Sequence, residues 1–347
     1  MLLTFNVKHN LDLSDELEKG RKVAEVAIRS SKLLSSKDVS HFSLKSMISN
    51  QIIRKYGRNK TIKQVRNLVL PVPGQGIVHN GNKIRIPCLK LELPFHPRHE
   101  VIKINYIEFD DEYAHIACTV PELPAYEPEC TIGVDRNTTG HVAVTACIET
   151  GKVQKLGKEC DHIHKKYSSM RRTAQKEGSK KNRHKFRKAK TYKRREKNII
   201  RNINHQASRA IIDNAAKQKA IIVLEDLSSL RKTAKARGRF RYSLNSWSSY
   251  QLQLMIGYKS KLQGVPVMYV DPRYTSKICS KCGCPGERHG KLFKCPHCGH
   301  ADHADVNAAF NIASRGRLST DRDVLKGYTD KPEGGTLYIE EWRFEFV

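Results

Sequence analysis

The sequence predicts a multidomain α+β protein: an antiparallel β-domain interrupted by helices, then a larger α/β domain carrying a cysteine-rich insertion. Three observations predict it. The segments KIRIPCLKLEL, EVIKINYIEF and EYAHIACTV alternate apolar and polar residues as half-buried strands do. After residue 198, an amphipathic helix followed by a buried strand occurs twice, the signature of an α/β layer. Two Cys-x2-Cys pairs then stand before a last apolar segment, where a ribbon inserted into that layer would fall.

Taken in order, LLTFNV reads as an opening strand, and residues 14–70 are helical in pattern. Val23, Val26, Ala27 and Ser30 mark one face of the first helix, and Leu44, Ile48, Ile52 and Lys55 recur at similar spacing further on. Pro-Gly and Asn-Gly turn signals fill residues 71–87 ahead of the alternating strands, which should form a small antiparallel sheet or barrel. If the opening strand pairs into that sheet, residues 14–70 are an insertion within one β-domain made of 1–13 and 71–128. The connection PELPAYEPE places a domain boundary near Glu129.

Beyond it, TIGVDRN and HVAVTACIET are apolar strands joined by a tight turn at Gly140. From Lys165 to Arg201 there are 17 lysines and arginines against two acids, Glu177 and Glu196. Next, Ile199, Ile203, Ala207, Ala210, Ile211 and Ala215 make a helical stripe before the strand AIIVLEDL. WSSYQLQLMIGYKSKLQG is a helix closed by Gly264, and VPVMYVDPRYT supplies a further strand. LSTDRDVLKGYTDKPEGG reads as linker, and no role follows from the pattern of residues 316–347.

Composition narrows the partner. Lysine and arginine number 63 against 35 acids, a formal charge of +28, far more than solubility requires, so a polyanion is expected. Apolar runs such as Ala220–Leu224 are too short to span a bilayer, which favours nucleic acid over a membrane surface. The opening MLLTFNVKHN lacks signal-peptide character, so the expected location is the cytosol, close to the nucleoid. Within the basic run, Arg171, Arg172, Lys180, Lys181, Arg183, Lys185, Arg187, Lys188, Arg194 and Arg195 are the candidate phosphate contacts; the bland alternative is a solvated helix or arm. Arg273 could reach a phosphate or could simply cap or pair locally. Trp247 and Tyr250 suit either base stacking or the core.

Ten cysteines in a reducing compartment point to metal before disulfides. Cys279 and Cys282, followed after twelve residues by Cys295 and Cys298, have zinc-ribbon spacing, each pair trailed by glycine. Cys284, His289, His297 and His300 lie close enough to leave a Cys3His set open. A closed four-ligand site is structural rather than catalytic. Cys88, Cys118, Cys130, Cys147 and Cys160 are expected to be small buried side chains. The other constellation is acidic. Asp135 and Glu225 each stand where an apolar strand meets polar residues, and Asp305 precedes the apolar VNAAFNIA. Singly, each could be a cap or turn residue. Together they can hold two magnesium ions for phosphodiester cleavage.

The blocks IGVDRN, VLEDLSSL, LNSWSSYQL, VDPRYTSKICSKCG and ADHADVNAAFNIA, in that order, resemble the TnpB (OrfB) proteins of insertion sequences and their relatives, the smallest type V CRISPR effectors. The resemblance covers residues 131–314. It implies an RNA-guided DNA endonuclease with guide RNA and target DNA as partners. It also implies an RNase H-like RuvC domain over 129–315, with the zinc ribbon at 277–301 as a nucleic-acid-binding insertion. By the same resemblance Asp135, Glu225 and Asp305 are the RuvC carboxylates, served by magnesium, and Asp302 has no assigned role. Residues 1–13 and 71–128 would be a wedge β-barrel and 14–70 a helical recognition lobe. That lobe is short for gripping a guide–target duplex, so both a monomer and a homodimer are carried forward. Two other outcomes stay open: a non-cleaving RNA-guided DNA-binding protein, and a strand-joining transposase.

Overall fold

The computed structural model of the chain describes residues 1–59, 61–65, 67–137, 140–158, 160–178, 183–227 and 247–322. They fall into two compact units, one of residues 1–121 and one beginning at Glu122.

In the first unit, β1 (Leu2–Lys8) pairs antiparallel with β7 (Tyr113–Thr119), running from Leu2 opposite Thr119 to Lys8 opposite Tyr113. β6 (Lys103–Phe109) and β2 (Leu70–Pro73) complete a four-stranded sheet in the order β1-β7-β6-β2. The helices α1 (Ser14–Arg29) and α2 (Ser46–Gly57) therefore lie in the excursion between β1 and β2. A second, three-stranded sheet is built from β3 (Val78–Asn80), β4 (Lys83–Ile86) and β5 (Leu91–Pro94). Alternation sets its faces: Ile84 and Ile86 are buried while Lys83 and Arg85 face water. Ile48 and Ile52 of α2 join Leu70, Val72, Ile107, Phe109 and Ile116 in one apolar core. Val26, expected on the buried face of α1, is exposed; Val23, Ala24 and Ala27 carry that face.

The second unit centres on a five-stranded mixed sheet in the order β10-β9-β8-β11-β12. β8 (Cys130–Arg136), β9 (Ala143–Cys147) and β10 (Val153–Leu156) form an antiparallel meander. β11 (Ala220–Glu225) lies parallel to β8, and β12 (Val267–Val270) parallel to β11. Helices cover both faces, which is why β8 and β11 are apolar nearly throughout. On one face Ile132, Ile222 and Leu224 pack with Ile200, Ala207 and Ile211 of α4 (Arg183–Lys217) and with Leu252 and Ile256 of α5 (Trp247–Gln263). On the other face Val144, Ala146 and Val223 meet Val306, Ala309 and Ile312 of α6 (Ala304–Arg322). α6 comes so close that a Cβ on Gly133 would stand 2.1 Å from the Ala309 carbonyl oxygen, so β8 needs a glycine there.

Several expectations change. The units part at Pro121–Glu122 rather than near Glu129, because Leu123 and Tyr126 donate their N–H groups to the carbonyls of Lys261 and Gly264 in the second unit. The stripe on α4 passes through Ile200; Ile199 is 36% exposed. Residues after Arg315 continue α6 as far as Arg322 instead of starting a linker, and residues 323–347 lie outside the described residues. Cys118, Cys147 and Cys160 are buried as expected, but Cys88 and Cys130 are only half-buried. Among the described residues no helix is long and apolar enough to cross a membrane.

Candidate metal centre and nucleic-acid interface

Asp135 and Glu225 occupy neighbouring positions at the ends of two parallel strands. The register pairs Val134 with Leu224, so the next residue on each strand projects at the same edge of the sheet. Asp305 is the second residue of α6, which lies over β8. All three are withdrawn from water, Asp135 and Glu225 at 9% exposure and Asp305 at 0%.

Burial, followed by the charge of Glu225, pushes the Asp135 carboxyl up to about 7; an amide hydrogen bond from Asn137 (2.9 Å) opposes the shift and the charge of Asp305 adds to it. Glu225 is raised too, chiefly by burial. Carboxylates so placed carry full charge comfortably only beside a cation. Among the described residues the three are not one of the groups whose ligand atoms all lie within 4.8 Å of one another. The three carboxylates therefore do not close around a single ion with oxygen bonds of about 2.1 Å.

The partners of these carboxylates were not legible as such in the sequence. Thr275 Oγ1 lies 2.6 Å from Glu225 Oε1, and the Arg136 guanidinium donates to the Glu225 carbonyl (2.7 Å) and to Gln253 (2.6 Å). Lys291 Nζ donates to Asp305 Oδ2 at 2.6 Å and Arg288 to Oδ1 at 3.2 Å. Of the run from Arg273 to Ser276, the buried Thr275 faces the acidic edge; Arg273 is exposed, its Nε 3.9 Å from the Asp271 carboxylate. The only signal for Thr275 was its place just after the strand carrying VPVMYV. Lys291 and Arg288 offered none, since their approach depends on how the ribbon folds back.

The ribbon consists of β13 (Glu287–His289), β14 (Leu292–Lys294) and β15 (Ala301–His303) in one antiparallel sheet. The sulfurs of Cys279, Cys282, Cys295 and Cys298 all lie within 4.8 Å of one another, with 3.7 Å between Cys279 and Cys298 and 3.6 Å between Cys282 and Cys295. A tetrahedron with zinc–sulfur bonds of about 2.3 Å has edges of about 3.8 Å, so the four thiols fit a zinc ion without rearrangement. Each knuckle closes on a glycine with positive φ, Gly283 at 74° and Gly299 at 72°, whose N–H groups bond back to the carbonyls of Cys279 and Cys295. Cys284 and His297 also gather at Cys282, as a separate group.

The basic run folds as α3 (Cys160–Gly178) and the first half of α4, packed on each other. Arg172, Arg187, Lys188, Arg194 and Arg195 are exposed. Arg171, expected to face phosphate, instead turns inward onto the buried Glu196, which His164 also contacts at 2.8 Å. An acid inside a basic hairpin draws the nearest cation to itself. Arg183 and Lys185 lie on α4, while Lys180 and Lys181 lie outside the described residues. Tyr250 is half-buried at the start of α5.

Comparison with known proteins matches residues 250–312 to the Cas12f1-like TNB domain family. A TnpB-like protein of Methanocaldococcus jannaschii is 33% identical over 198 residues, covering 54% of this chain and 67% of that protein. A CRISPR-associated endodeoxyribonuclease Cas12f1 of Sulfoacidibacillus thermotolerans is 44% identical over 114 residues, which is 32% of this chain and 26% of that protein. A Cas12f1 solved with sgRNA and target DNA shares the fold, with a TM-score of 0.57 at 18% identity over 87% of this chain and 82% of that one. The α+β architecture, the match over the ribbon and the identity across two thirds of the archaeal relative agree: the chain belongs to the TnpB-like family, related to the miniature type V effectors.

Proposed function

We propose that the chain is an RNA-guided DNA endonuclease of the TnpB type, cutting phosphodiester bonds at Asp135, Glu225 and Asp305. The observation that carries this reading is that β8, β11 and α6, distant in sequence, each deliver a buried carboxylate around one strand pair and the helix laid over it. An RNase H-like RuvC assignment of the second unit rests on the same placement.

Two divalent ions such as Mg2+, bound there, would activate a water and neutralise the leaving oxygen. The chain's own residues do the rest. Asp135 and Glu225 would hold the ions from adjacent strands, and Asp305 would hold them from the helix. Thr275 and Arg136 fix the Glu225 side chain and backbone, so that the carboxylate is oriented before any ion arrives. The four cysteines would bind one structural zinc, locking the ribbon that carries Lys291 and Arg288 towards Asp305.

The exposed lysines and arginines of α3 and α4 suit the backbone of a guide–target duplex, Arg273 is a further phosphate contact, and the first unit would act as wedge, with α1 and α2 as its short recognition lobe. Specificity would then reside in base pairing with a guide RNA rather than in this chain.

The test is to purify the chain, sequence the RNA that accompanies it, and offer matching DNA with Mg2+. Cleavage to free ends is expected, and Asp135→Ala should lower the rate about 1000-fold or more while RNA and DNA binding persist. Full activity in that variant removes the carboxylate assignment; joined rather than free strands would point to strand transfer instead.

A further inference from the structure

The far end of β8 carries a second group of ligand-bearing side chains. Cys130 opens β8, Cys147 closes β9, and Glu149 stands in the turn that follows; one sulfur or oxygen from each lies within 4.8 Å of the others. Cys130 precedes Asp135 by five residues along the strand, about 16 Å at strand rise, so the group is separate from the acidic edge. It is also separate from the ribbon, whose cysteines begin at Cys279.

Strand pairing builds the group. β9 places Cys147 opposite Ile132, and Cys130 is two residues from Ile132, so the two thiols share one face of the sheet on adjacent strands. The turn after β9 is closed by bonds from Cys147 N–H to the Lys152 carbonyl (3.0 Å) and from Gly151 N–H to the Cys147 carbonyl (3.0 Å). The Glu149 carboxylate is fixed rather than loose: Oε2 accepts from the Thr131 N–H at 3.0 Å and from Cys147 Sγ at 3.4 Å. A backbone carbonyl, that of Gln218, lies 3.2 Å from Cys130 Sγ. Cys147 is buried, Cys130 half-buried and Glu149 exposed, so the group opens to solvent on one side.

We propose that Cys130, Cys147 and Glu149 form a second zinc site, its fourth position taken by the Gln218 carbonyl or a water. Two thiolates with one carboxylate are a ligand set for a borderline-soft divalent ion, and zinc accepts them in four-coordination. For zinc–sulfur and zinc–oxygen bonds of about 2.3 and 2.1 Å, the sulfur–oxygen edge is roughly 3.6 Å, close to the spacing already present between Cys147 and Glu149. Binding releases the two thiol protons to solvent, and Cys130 exchanges its bond to Gln218 for the ion. The ion would tie the start of β8 to the β9–β10 turn, bracing the strand that ends in Asp135. The inference stands whether or not the chain cleaves DNA.

The decisive measurement is zinc content of the full chain by elemental analysis after purification in reducing buffer and titration with Zn2+. Two equivalents are expected for the native chain and one each for Cys147→Ser and for the ribbon double variant Cys295→Ser/Cys298→Ser. Combining the three substitutions should leave none. Glu149→Gln changes only an exposed side chain, so it bears on the site even if a cysteine variant folds poorly. Its second zinc should bind about tenfold more weakly or worse, since even outer-shell partners affect metal affinity by 10–100-fold. A single equivalent in the native chain, an unchanged second affinity in Glu149→Gln, or a Cys130–Cys147 disulfide in the reduced preparation would each overturn the proposal.

Discussion

Lys291 Nζ sits 2.6 Å from Asp305 Oδ2, so a cation from the ribbon neutralises a carboxylate with no exposure to water. Arg288 shares the task at 3.2 Å. Both come from the β13–β14 hairpin, so in the absence of ions the ribbon supplies the positive charge that Asp305 requires.

Removing Lys291 should therefore make the chain lean on divalent ions. Asp305 is buried, but Lys291 is 36% exposed and Arg288 remains as a partner, so Lys291→Ala should lose about 1 kcal/mol. Mg2+ or Mn2+ should restore most of it. Thermal melts with and without the ion check this: the ion-induced rise in Tm should be larger in the variant than in the native chain, and an equal rise would separate Lys291 from the ion site.

Thr275→Val keeps the shape of the side chain but deletes the hydroxyl at 2.6 Å from Glu225. A hydrogen bond to a charged group contributes about 1.5–3 kcal/mol, so cleavage should slow by about 10- to 100-fold. Affinity for guide RNA and target DNA should not change. A variant that cuts at the native rate would show that Glu225 is oriented without Thr275.

Asp135 sets a pH dependence. Its folded-state value of about 7 is above that of an unfolded aspartate, so the native metal-free chain holds an extra proton between the two values. That contribution to stability is complete below the unfolded value and is lost as pH rises through about 7. The metal-free Tm should fall between about pH 4 and about pH 7 and level off above, and Asp135→Asn should flatten the fall. Divalent ions displace the proton, so their affinity should rise over the same interval. Parallel pH profiles for the native chain and Asp135→Asn would count against a raised Asp135.

The basic hairpin separates two kinds of arginine. Replacing the exposed Arg187, Lys188, Arg194 and Arg195 by glutamine should weaken nucleic-acid binding and reduce the slope of log affinity against log salt by about 3, given roughly 0.7–0.9 per phosphate contact. Arg171→Gln should instead lower Tm and leave the slope alone, because its partner is Glu196. A salt slope altered as strongly by Arg171→Gln would return that side chain to the interface.

The sequence alone determined the ingredients that depend on local pattern. Period-two alternation located the strands of the first unit, apolar runs located β8 and β11, and the spacing of Cys279, Cys282, Cys295 and Cys298 specified a closed tetrahedral site, because two knuckles of that length bring four sulfurs together wherever they sit. Asp135, Glu225 and Asp305 could be picked out because each marks the border of an apolar run. Tertiary structure decided what those residues touch. Parallel registry set Asp135 beside Glu225, the close approach of α6 over Gly133 brought in Asp305, and the fold of the ribbon delivered Lys291. It also turned Arg171 away from solvent and gathered Cys130, Cys147 and Glu149 at one end of the sheet. Such contacts join residues far apart in the chain, and a pattern read along the chain holds only neighbours, so packing between elements had to choose the partners.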